Sequence, residues 1–277
     1  MGRRVIIIPN YLKAESVAFS HTASEIFEKN GYEVIILSES DTPNEEVELA
    51  LVLGGDGTIL RACKKLYLKD IPMFGINFGN MGYLTECNPE TALEGINKLI
   101  KGEYNIQNRL MLEGEVVRNG QRVYDFSALN EASLFRSTLK KAFRTEVYIN
   151  GMHIQTVLGD GVIVATPTGS TSYNLSAGGP VLTPESNSMV ITPVSPMHFL
   201  HSSVVTGGED EITLEVKINS LVQGACVTLD VDGDSSFDIY DGDVVKIKKA
   251  SKYAKIIKVN DTSFYEILRQ KLSKANS

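Results

Sequence analysis

Short apolar runs and stretches with helical spacing alternate along the first hundred residues. The runs predict buried strands, and the stretches between them predict helices in a βαβ order. The expected strands are residues 5–8, 34–37, 49–53 and 73–76, and the expected helices are 19–29, a segment after 58, and about 89–100 with Pro89 in its first turn.

The pattern changes after Gly102, where alternating or β-branched segments recur between Gly, Asn and Asp turns. Segments joined by Asn-Gly or Asp-Gly dipeptides predict antiparallel hairpins. The dipeptides are Asn119-Gly120, Asn150-Gly151, Asp232-Gly233 and Asp241-Gly242, and the expected strands are 112–117, 122–126, 147–149, 161–165, 212–218, 226–231 and 244–247. A last apolar pattern over residues 264–272 predicts a closing helix that packs back on the first half.

The formal net charge of −7 provides no global positive field for nucleic acid or an anionic membrane, so a polyanionic ligand has to be bound locally. No apolar run has the length of a membrane span or of a signal peptide, so we expect a cytoplasmic protein. The widely spaced Cys63, Cys87 and Cys226 predict buried free thiols. The histidines lack metalloenzyme spacing, so no protein metal site is expected.

The loop Gly54-Gly55-Asp56-Gly57-Thr58 follows the strand expected at 49–53 and precedes a helix. Its glycines permit a tight turn and close approach of a ligand, and the helix directs unpaired amides and its positive dipole end into the same space. This arrangement suits a phosphate, although a structural turn capped by Asp56 or Thr58 is the alternative. The P-loop pattern and the G-x-G-x-x-G pattern do not occur.

A second polar segment lies in the β-rich half at residues 166–173, which we call the hydroxyl loop because six of its eight residues carry a hydroxyl. Such a loop can hydrogen-bond sugars and phosphates, although the edge of a Ser- and Thr-rich β-sandwich would have a similar composition. Gly159-Asp160-Gly161 precedes it, and Asn130-Glu131 forms a shorter polar pair.

Together these motifs resemble the NAD kinase family, which belongs to a superfamily that also contains phosphofructokinases and lipid kinases. The superfamily shares GGDGT, and the ordered set that narrows the choice is GGDGT (54–58), GNMGYL (79–84), Asn130-Glu131, GDG (159–161), TPTGSTSYNLSAGGP (166–180), Val231-Asp232-Gly233 and a closing segment at 261–272. The resemblance implies a Rossmann-like α/β domain (1–102 plus about 258–277), an antiparallel β-sandwich domain (103–257), and an active site between them.

The resemblance also implies roles for individual residues. Asp56 would accept the proton of the NAD 2′-hydroxyl, and Gly54, Gly55 and Thr58 would form the phosphoryl-donor loop. The residues expected to contact NAD are Gly57, Arg61, Tyr83, Asn130, Glu131, Lys141, Asp160, Thr171, Ser172, Tyr173, Asn174 and Ser176, with Tyr173 stacking on a base.

The sequence departs from the family pattern at two places. Asp234 follows Val231-Asp232-Gly233 where many members carry Gln, so that contact is not carried over. Leu158 stands where some relatives have a basic side chain, which would alter affinity for the substrate phosphates. Lys141 retains a basic residue, although a solvated charge beside Arg144 explains it equally well.

The resemblance implies a kinase that uses Mg²⁺ or another divalent cation, ATP or polyphosphate as donor, and a homodimer or homotetramer. No nucleic acid or membrane partner is expected. A lipid kinase of the same superfamily is the nearest alternative, but no basic amphipathic helix suggests membrane docking. A dinucleotide-binding sensor without catalysis is the alternative of a different class.

Overall fold

The structure, a computed structural model, describes residues 3–38, 41, 43, 46–79, 82–137, 142–197, 202–218 and 226–274. It divides into an α/β unit, Met1–Asn108 with Lys252–Ser277, and a β unit, Arg109–Ser251. Within the described ranges, no helix has the length and apolar character needed to cross a membrane.

The α/β unit begins with alternating strands and helices, as its hydrophobic pattern predicts. Its central strands are buried along nearly their whole length, which explains why they appear in the sequence as continuous apolar runs. The elements are β1 (Arg4–Pro9), α1 (Ala14–Lys29), β2 (Glu33–Ile36), β3 (Leu49–Gly54), α2 (Asp56–Leu66), a 3-10 turn (Tyr67–Lys69), β4 (Met73–Asn77), α3 (Ala92–Lys101) and β5 (Asn105–Arg109).

Two helices begin elsewhere than expected. Helix α1 already begins at Ala14. The apolar spacing does not indicate this start, because the polar Ser16 lies on the buried face, where its Oγ donates to the Leu53 carbonyl at 2.7 Å. The expected start of α3 at Pro89 is wrong. The Thr91 amide donates to Asn88 Oδ1 at 3.0 Å and closes a separate turn, so the helix begins at Ala92.

The β unit consists of two antiparallel sheets that share one hydrophobic core. Its elements are β6 (Leu112–Arg118), β7 (Gln121–Ala128), β8 (Glu131–Arg136), β9 (Phe143–Ile149), β10 (Met152–Gly159), β11 (Gly161–Ala165), a 3-10 turn (Gly169–Thr171), α4 (Tyr173–Ser176), β12 (Ser188–Val194), β13 (Val204–Gly207), β14 (Ile212–Lys217), β15 (Val227–Val231), β16 (Ser235–Ile239) and β17 (Val244–Lys249). The sheet orders are β10-β9-β14-β17-β6-β7 and β13-β12-β11-β8-β15-β16.

Three of the four predicted hairpin dipeptides join paired strands. The hairpin expected at Asp241-Gly242 is wrong, because this turn connects β16 of one sheet to β17 of the other. Asn119-Gly120, Asn150-Gly151 and Asp232-Gly233 have positive φ at both residues, as a type I′ turn requires. These turns connect β6 to β7, β9 to β10 and β15 to β16. The sandwich therefore follows from local turn chemistry together with inward-facing apolar residues.

The last elements return to the α/β unit, as β18 (Ala254–Lys258) and α5 (Phe264–Lys274). Strand β18 pairs in parallel with β4, and the sheet order is β2-β1-β3-β4-β18-β5. The predicted fold class, an α/β unit and an antiparallel β unit with a closing helix, is confirmed. Cys63, Cys87 and Cys226 are buried and form no disulfide with one another, as predicted.

Candidate active site

Asp56 is held at the junction of β3 and α2 by a turn that is distant in sequence. Its Oδ2 accepts a hydrogen bond from the Tyr83 amide at 2.7 Å, and its Oδ1 accepts one from the Leu84 amide at 3.1 Å. A carboxylate that accepts from two successive amides has a defined position and orientation. We call the residues around this carboxylate the Asp56 site.

The turn can approach the carboxylate because residue 82 is glycine. A Cβ added to Gly82 would lie 1.9 Å from Asp56 Oδ1, which no side chain at this position could relieve without displacing the acid. Gly54 has a similar role beneath the loop, since its Cβ would lie 2.2 Å from Thr58 Oγ1. Both glycines therefore permit close packing around the loop.

The remaining residues of the loop differ in what they expose. Thr58 is buried, and its Oγ1 accepts from Asn10 Nδ2 at 3.3 Å, so its hydroxyl supports the loop from inside. Gly57 is exposed, and a Cβ there would lie 3.6 Å from the guanidinium of Arg61. The exposed backbone of Gly57 thus lies beside the guanidinium of Arg61 at the start of α2.

A basic residue that the sequence patterns did not single out also lies near the Asp56 site. Lys13 Nζ donates to the Phe78 carbonyl at 2.7 Å and would be 2.9 Å from a Cβ on Gly79. Lys13 lies in a connecting segment without a motif, so neither periodicity nor spacing marks it. Asn80 and Met81, which belong to the GNMGYL motif, fall outside the described residues.

In the β unit, one buried carboxylate holds the Asn130-Glu131 pair. The side chain of Asp232 accepts hydrogen bonds from the amides of Leu129 at 3.0 Å, Asn130 at 2.8 Å and Glu131 at 3.1 Å. Asp232 occupies a hairpin turn with a φ of 57°. The sequence marked it as a turn residue, and the structure adds that it positions the neighbouring polar pair.

Glu131 is buried and only partly satisfied. Its Oε1 accepts from Ser172 Oγ at 3.0 Å, whereas its Oε2 is buried without a hydrogen-bond partner among the described residues. Burial raises the pKa of the Glu131 carboxyl to about 7, and the charge of Asp232 adds to the shift. In the hydroxyl loop, Oγ1 of Thr168 is also buried without a partner in the described part of the chain.

Most hydroxyls of the hydroxyl loop are used to fold the loop itself. Thr166 Oγ1 donates to the Leu129 carbonyl at 2.5 Å, Ser170 Oγ to the Pro167 carbonyl at 2.7 Å, and Thr171 Oγ1 to the Thr168 carbonyl at 3.1 Å. These bonds follow the local side-chain to backbone patterns that Ser and Thr favour in turns. Glu131 and Thr168 each keep one buried polar atom without a partner among the described residues. We call these two residues, together with Ser172 that donates to Glu131, the Glu131 site.

Tyr173 and Asp160 lie beside each other in the same unit. The Tyr173 ring is 38% exposed and meets Phe135 edge-on at a centroid distance of 5.0 Å. Burial raises the pKa of the Tyr173 hydroxyl, and the charge of Asp160 adds to that effect. Asp160 is in turn paired with Arg136, with 3.2 Å between Oδ1 and Nε. The Tyr173 ring is thus packed on Phe135 and remains partly exposed.

Asn174, one of the residues expected to contact NAD, has a structural position. Its side chain is fully buried, its Nδ2 donates to the Ser170 and Pro180 carbonyls at 3.0 Å, and its Oδ1 accepts from Thr192 Oγ1 at 2.7 Å. The side chain therefore presents no surface to a ligand. Ser176 is exposed at the end of α4, and Lys141 lies outside the described residues.

The chain matches two family models that together span most of its length. The model described as the ATP-NAD kinase N-terminal domain matches residues 5–104, and the ATP-NAD kinase C-terminal domain matches residues 129–259. Among curated relatives, an NAD kinase of Carboxydothermus hydrogenoformans is 42% identical over 88% of this chain and 85% of its own length. An NAD kinase of Lachnoclostridium phytofermentans is 35% identical over 97% and 98% of the two chains.

Solved structures show the same fold. A yeast NADH kinase complexed with NADH superposes with a TM-score of 0.86 at 20% identity, covering 99% of this chain and 89% of that chain. An NAD kinase from Archaeoglobus fulgidus in complex with ATP superposes with a TM-score of 0.72 at 26% identity, covering 93% and 94%.

Replacing Asp232 with Ala should lower the free energy of unfolding by about 3 kcal/mol, because buried amides that it satisfies lose their acceptor. Urea denaturation of the purified protein measures this change. Asp234→Ala, in the same turn but exposed, serves as the matched control and should stay within about 0.5 kcal/mol of the unaltered chain. A loss below about 1 kcal/mol in Asp232→Ala would contradict the positioning role.

Proposed function

The chain belongs to the NAD kinase family of transferases, and from this premise we propose that it phosphorylates the 2′-hydroxyl of the adenosine ribose of NAD to give NADP, with Asp56 as the proton acceptor. The observation that supports the assignment is the position of Asp56, whose carboxylate accepts hydrogen bonds from the Tyr83 and Leu84 amides at the start of a helix. A catalytic base has to be held within hydrogen-bond reach of the proton that it accepts.

The proposed step exchanges one phosphorus–oxygen bond for another. The ribose oxygen forms a bond to the γ-phosphorus of the donor while the bond between that phosphorus and the bridging oxygen breaks, which releases ADP when ATP is the donor. A ribose hydroxyl is too weakly acidic to ionise beforehand, so its proton passes to Asp56 late, as the new bond forms. Alignment of the two oxygens with phosphorus supplies most of the remaining acceleration.

The donor and the metal are further parts of the proposal. ATP is the proposed donor because a relative that is 26% identical was solved in complex with ATP, and polyphosphate is the alternative to be assayed beside it. Mg²⁺ or another divalent cation, when bound, would neutralise charge on the donor phosphates. The described residues contain no group of three His, Cys, Asp or Glu suited to a metal. The proposed ion is held by the donor phosphates and water.

The contacts proposed for NAD use the atoms that remain available in each unit. In the β unit these are Oε2 of Glu131 and the hydroxyl of Thr168, which have no partner among the described residues, and the exposed part of the Tyr173 ring. Asn130 and Asp160 belong to the neighbouring motifs. A buried polar atom without a partner is costly, and a ligand group that pairs with it removes that cost. In the α/β unit the proposed contacts are Gly57, Arg61 and Tyr83.

Membership of the NAD kinase family removes the lipid-kinase alternative. An assay distinguishes the proposed kinase from a dinucleotide-binding sensor without catalysis. Incubation with Mg²⁺, NAD and ATP or polyphosphate, followed by detection with an NADP-specific dehydrogenase, tests the proposed reaction directly. Binding of NAD without any NADP from either donor would favour the sensor. Self-association into a homodimer or homotetramer is also proposed, and light scattering coupled to gel filtration measures it.

Asp56→Asn should lower turnover by about 10²- to 10⁴-fold while NAD still binds, because the amide cannot accept the ribose proton. The free energy of unfolding should fall by about 1 kcal/mol, since the new NH₂ group faces one of the amides that the carboxylate satisfied. Steady-state kinetics, NAD calorimetry and urea denaturation measure these three quantities.

Gly82→Ala supplies a companion variant that keeps the acid but displaces it, because the new Cβ would lie 1.9 Å from Oδ1. Gly82→Ala should also lower turnover, while NAD still binds through its proposed contacts in the β unit. Near-normal turnover in Asp56→Asn would remove the catalytic assignment, and near-normal turnover in Gly82→Ala would show that the position of the carboxylate is unimportant.

Tyr173→Ala should raise the KM for NAD by about 5- to 100-fold with little change in kcat, the range expected for loss of one base–aromatic stack. Tyr173→Phe is the matched control, because it retains the ring that packs on Phe135 and should bind NAD nearly normally. An unchanged KM in the alanine variant would mean that the ring is structural.

NAD should bind more tightly as the pH rises from about 6 to 8, because the Glu131 carboxyl, with a pKa of about 7, is neutral below this range and ionised above it. The ionised form is the stronger acceptor for ribose hydroxyls, so affinity should fall by up to about tenfold per pH unit below 7. Calorimetry at several pH values measures the slope. Glu131→Gln should bind without this dependence, and an equal slope in both proteins would contradict the assignment.

A further inference from the structure

Lys271 brings a positive charge from the closing helix to the Asp56 site. Its Nζ lies 4.0 Å from the centroid of the Tyr83 ring. The amide of the same Tyr83 donates to Asp56 Oδ2 at 2.7 Å. The ring of Phe264, at the start of α5, also packs against Tyr83, with 6.2 Å between the two ring centroids. Helix α5 is therefore packed on the residue that holds the carboxylate of Asp56.

The environment of this ammonium group is unfavourable for a surface lysine. Lys271 is half-buried, and burial lowers the pKa of its amine, while the charge of Asp56 acts in the opposite direction. Among the described residues, no carboxylate oxygen lies within the 4.0 Å of Lys271 Nζ that an ion pair requires. By contrast, Lys258 and Lys252 of the same unit are paired with Glu86 and Asp70.

A partly desolvated cation over an aromatic face retains most of its capacity to attract an anion. The proposed reaction supplies two anions, the donor phosphates and the pyrophosphate of NAD. The phosphoryl group in transfer is the one that has to lie beside Asp56, because this acid accepts the proton of the oxygen that receives it. The chain as a whole, at a net charge of −7, offers no general attraction for either anion. Lys13 and Arg61 are the other basic side chains beside the glycines of this site. Together these residues form a local positive environment around one carboxylate.

We propose that Lys271 binds a phosphate oxygen of the phosphoryl donor at the Asp56 site, so that the closing helix contributes directly to donor binding. This proposal rests on the proposed function, which supplies the donor. The ammonium would neutralise charge on the non-bridging oxygens as the phosphoryl group moves toward the ribose. A role in donor binding also explains why a lysine lies on the Tyr83 ring. An apolar residue would cover the ring without removing an ammonium group from water.

The test compares Lys271→Gln and Lys271→Arg with Arg269→Gln, which removes one charge from an exposed position of the same helix. Lys271→Gln should raise the KM for ATP, and the dissociation constant of ATP with Mg²⁺ measured by calorimetry, by about tenfold, as expected for a charge-assisted contact. The KM for NAD should stay within about twofold. Lys271→Arg should retain most of the ATP affinity, and Arg269→Gln should resemble the unaltered protein.

An ATP dissociation constant in Lys271→Gln that equals that of the unaltered protein would overturn the proposal. Equal weakening of ATP and NAD, together with a lower urea midpoint, would also overturn it, because packing of α5 on Tyr83 would then be the role of this lysine. The two proposals fail separately. Absence of NADP formation by the unaltered protein counts against the kinase reaction, whereas the calorimetric comparison still decides the role of Lys271.

Discussion

The two hydrogen bonds from the Tyr83 and Leu84 amides to the carboxylate of Asp56 are the constraint on which the candidate site depends. They join the β3–α2 loop to a turn that follows β4, so these two neighbouring parallel strands share one fixed acid. Gly82 permits the contact, since any Cβ would occupy the position of Oδ1. The catalytic proposal therefore depends on the packing of a glycine as much as on the acid itself.

The β unit uses the same interaction for a different purpose. Asp232 accepts three amide hydrogen bonds and thereby fixes the chain at Asn130 and Glu131. With the backbone held in this way, the side chain of Glu131 is buried beside Ser172, one of its oxygens has no partner among the described residues, and burial raises its pKa to about 7. A satisfied carboxylate thus supports an unsatisfied one, which is the arrangement expected where a ligand completes the hydrogen bonding.

Much of the fold could be predicted because it follows from periodicity and turn chemistry. Buried strands of the α/β unit appear as apolar runs, and Asn119-Gly120 and Asn150-Gly151 lie in turns with positive φ. The start of α1 could not be predicted in this way, because Ser16 lies on the buried face and obtains its partner, the Leu53 carbonyl, from a distant strand. The insertion of β18 next to β4 likewise depends on pairing between distant parts of the chain.

The sequence predicts which motifs contribute to the candidate site, but not which of their atoms are available to a ligand. The hydroxyl loop shows why. Its composition indicates sugar or phosphate binding, yet Thr166, Ser170 and Thr171 direct their hydroxyls to carbonyls of the loop or its neighbour Leu129. A Ser or Thr that folds a turn and one that contacts a ligand are the same in sequence, and only the distribution of hydrogen bonds separates them. Thr168 keeps an unpaired buried hydroxyl, whereas Asn174 has its amide fully occupied. The capacity of this loop to bind therefore lies in the few atoms that its own folding leaves unsatisfied.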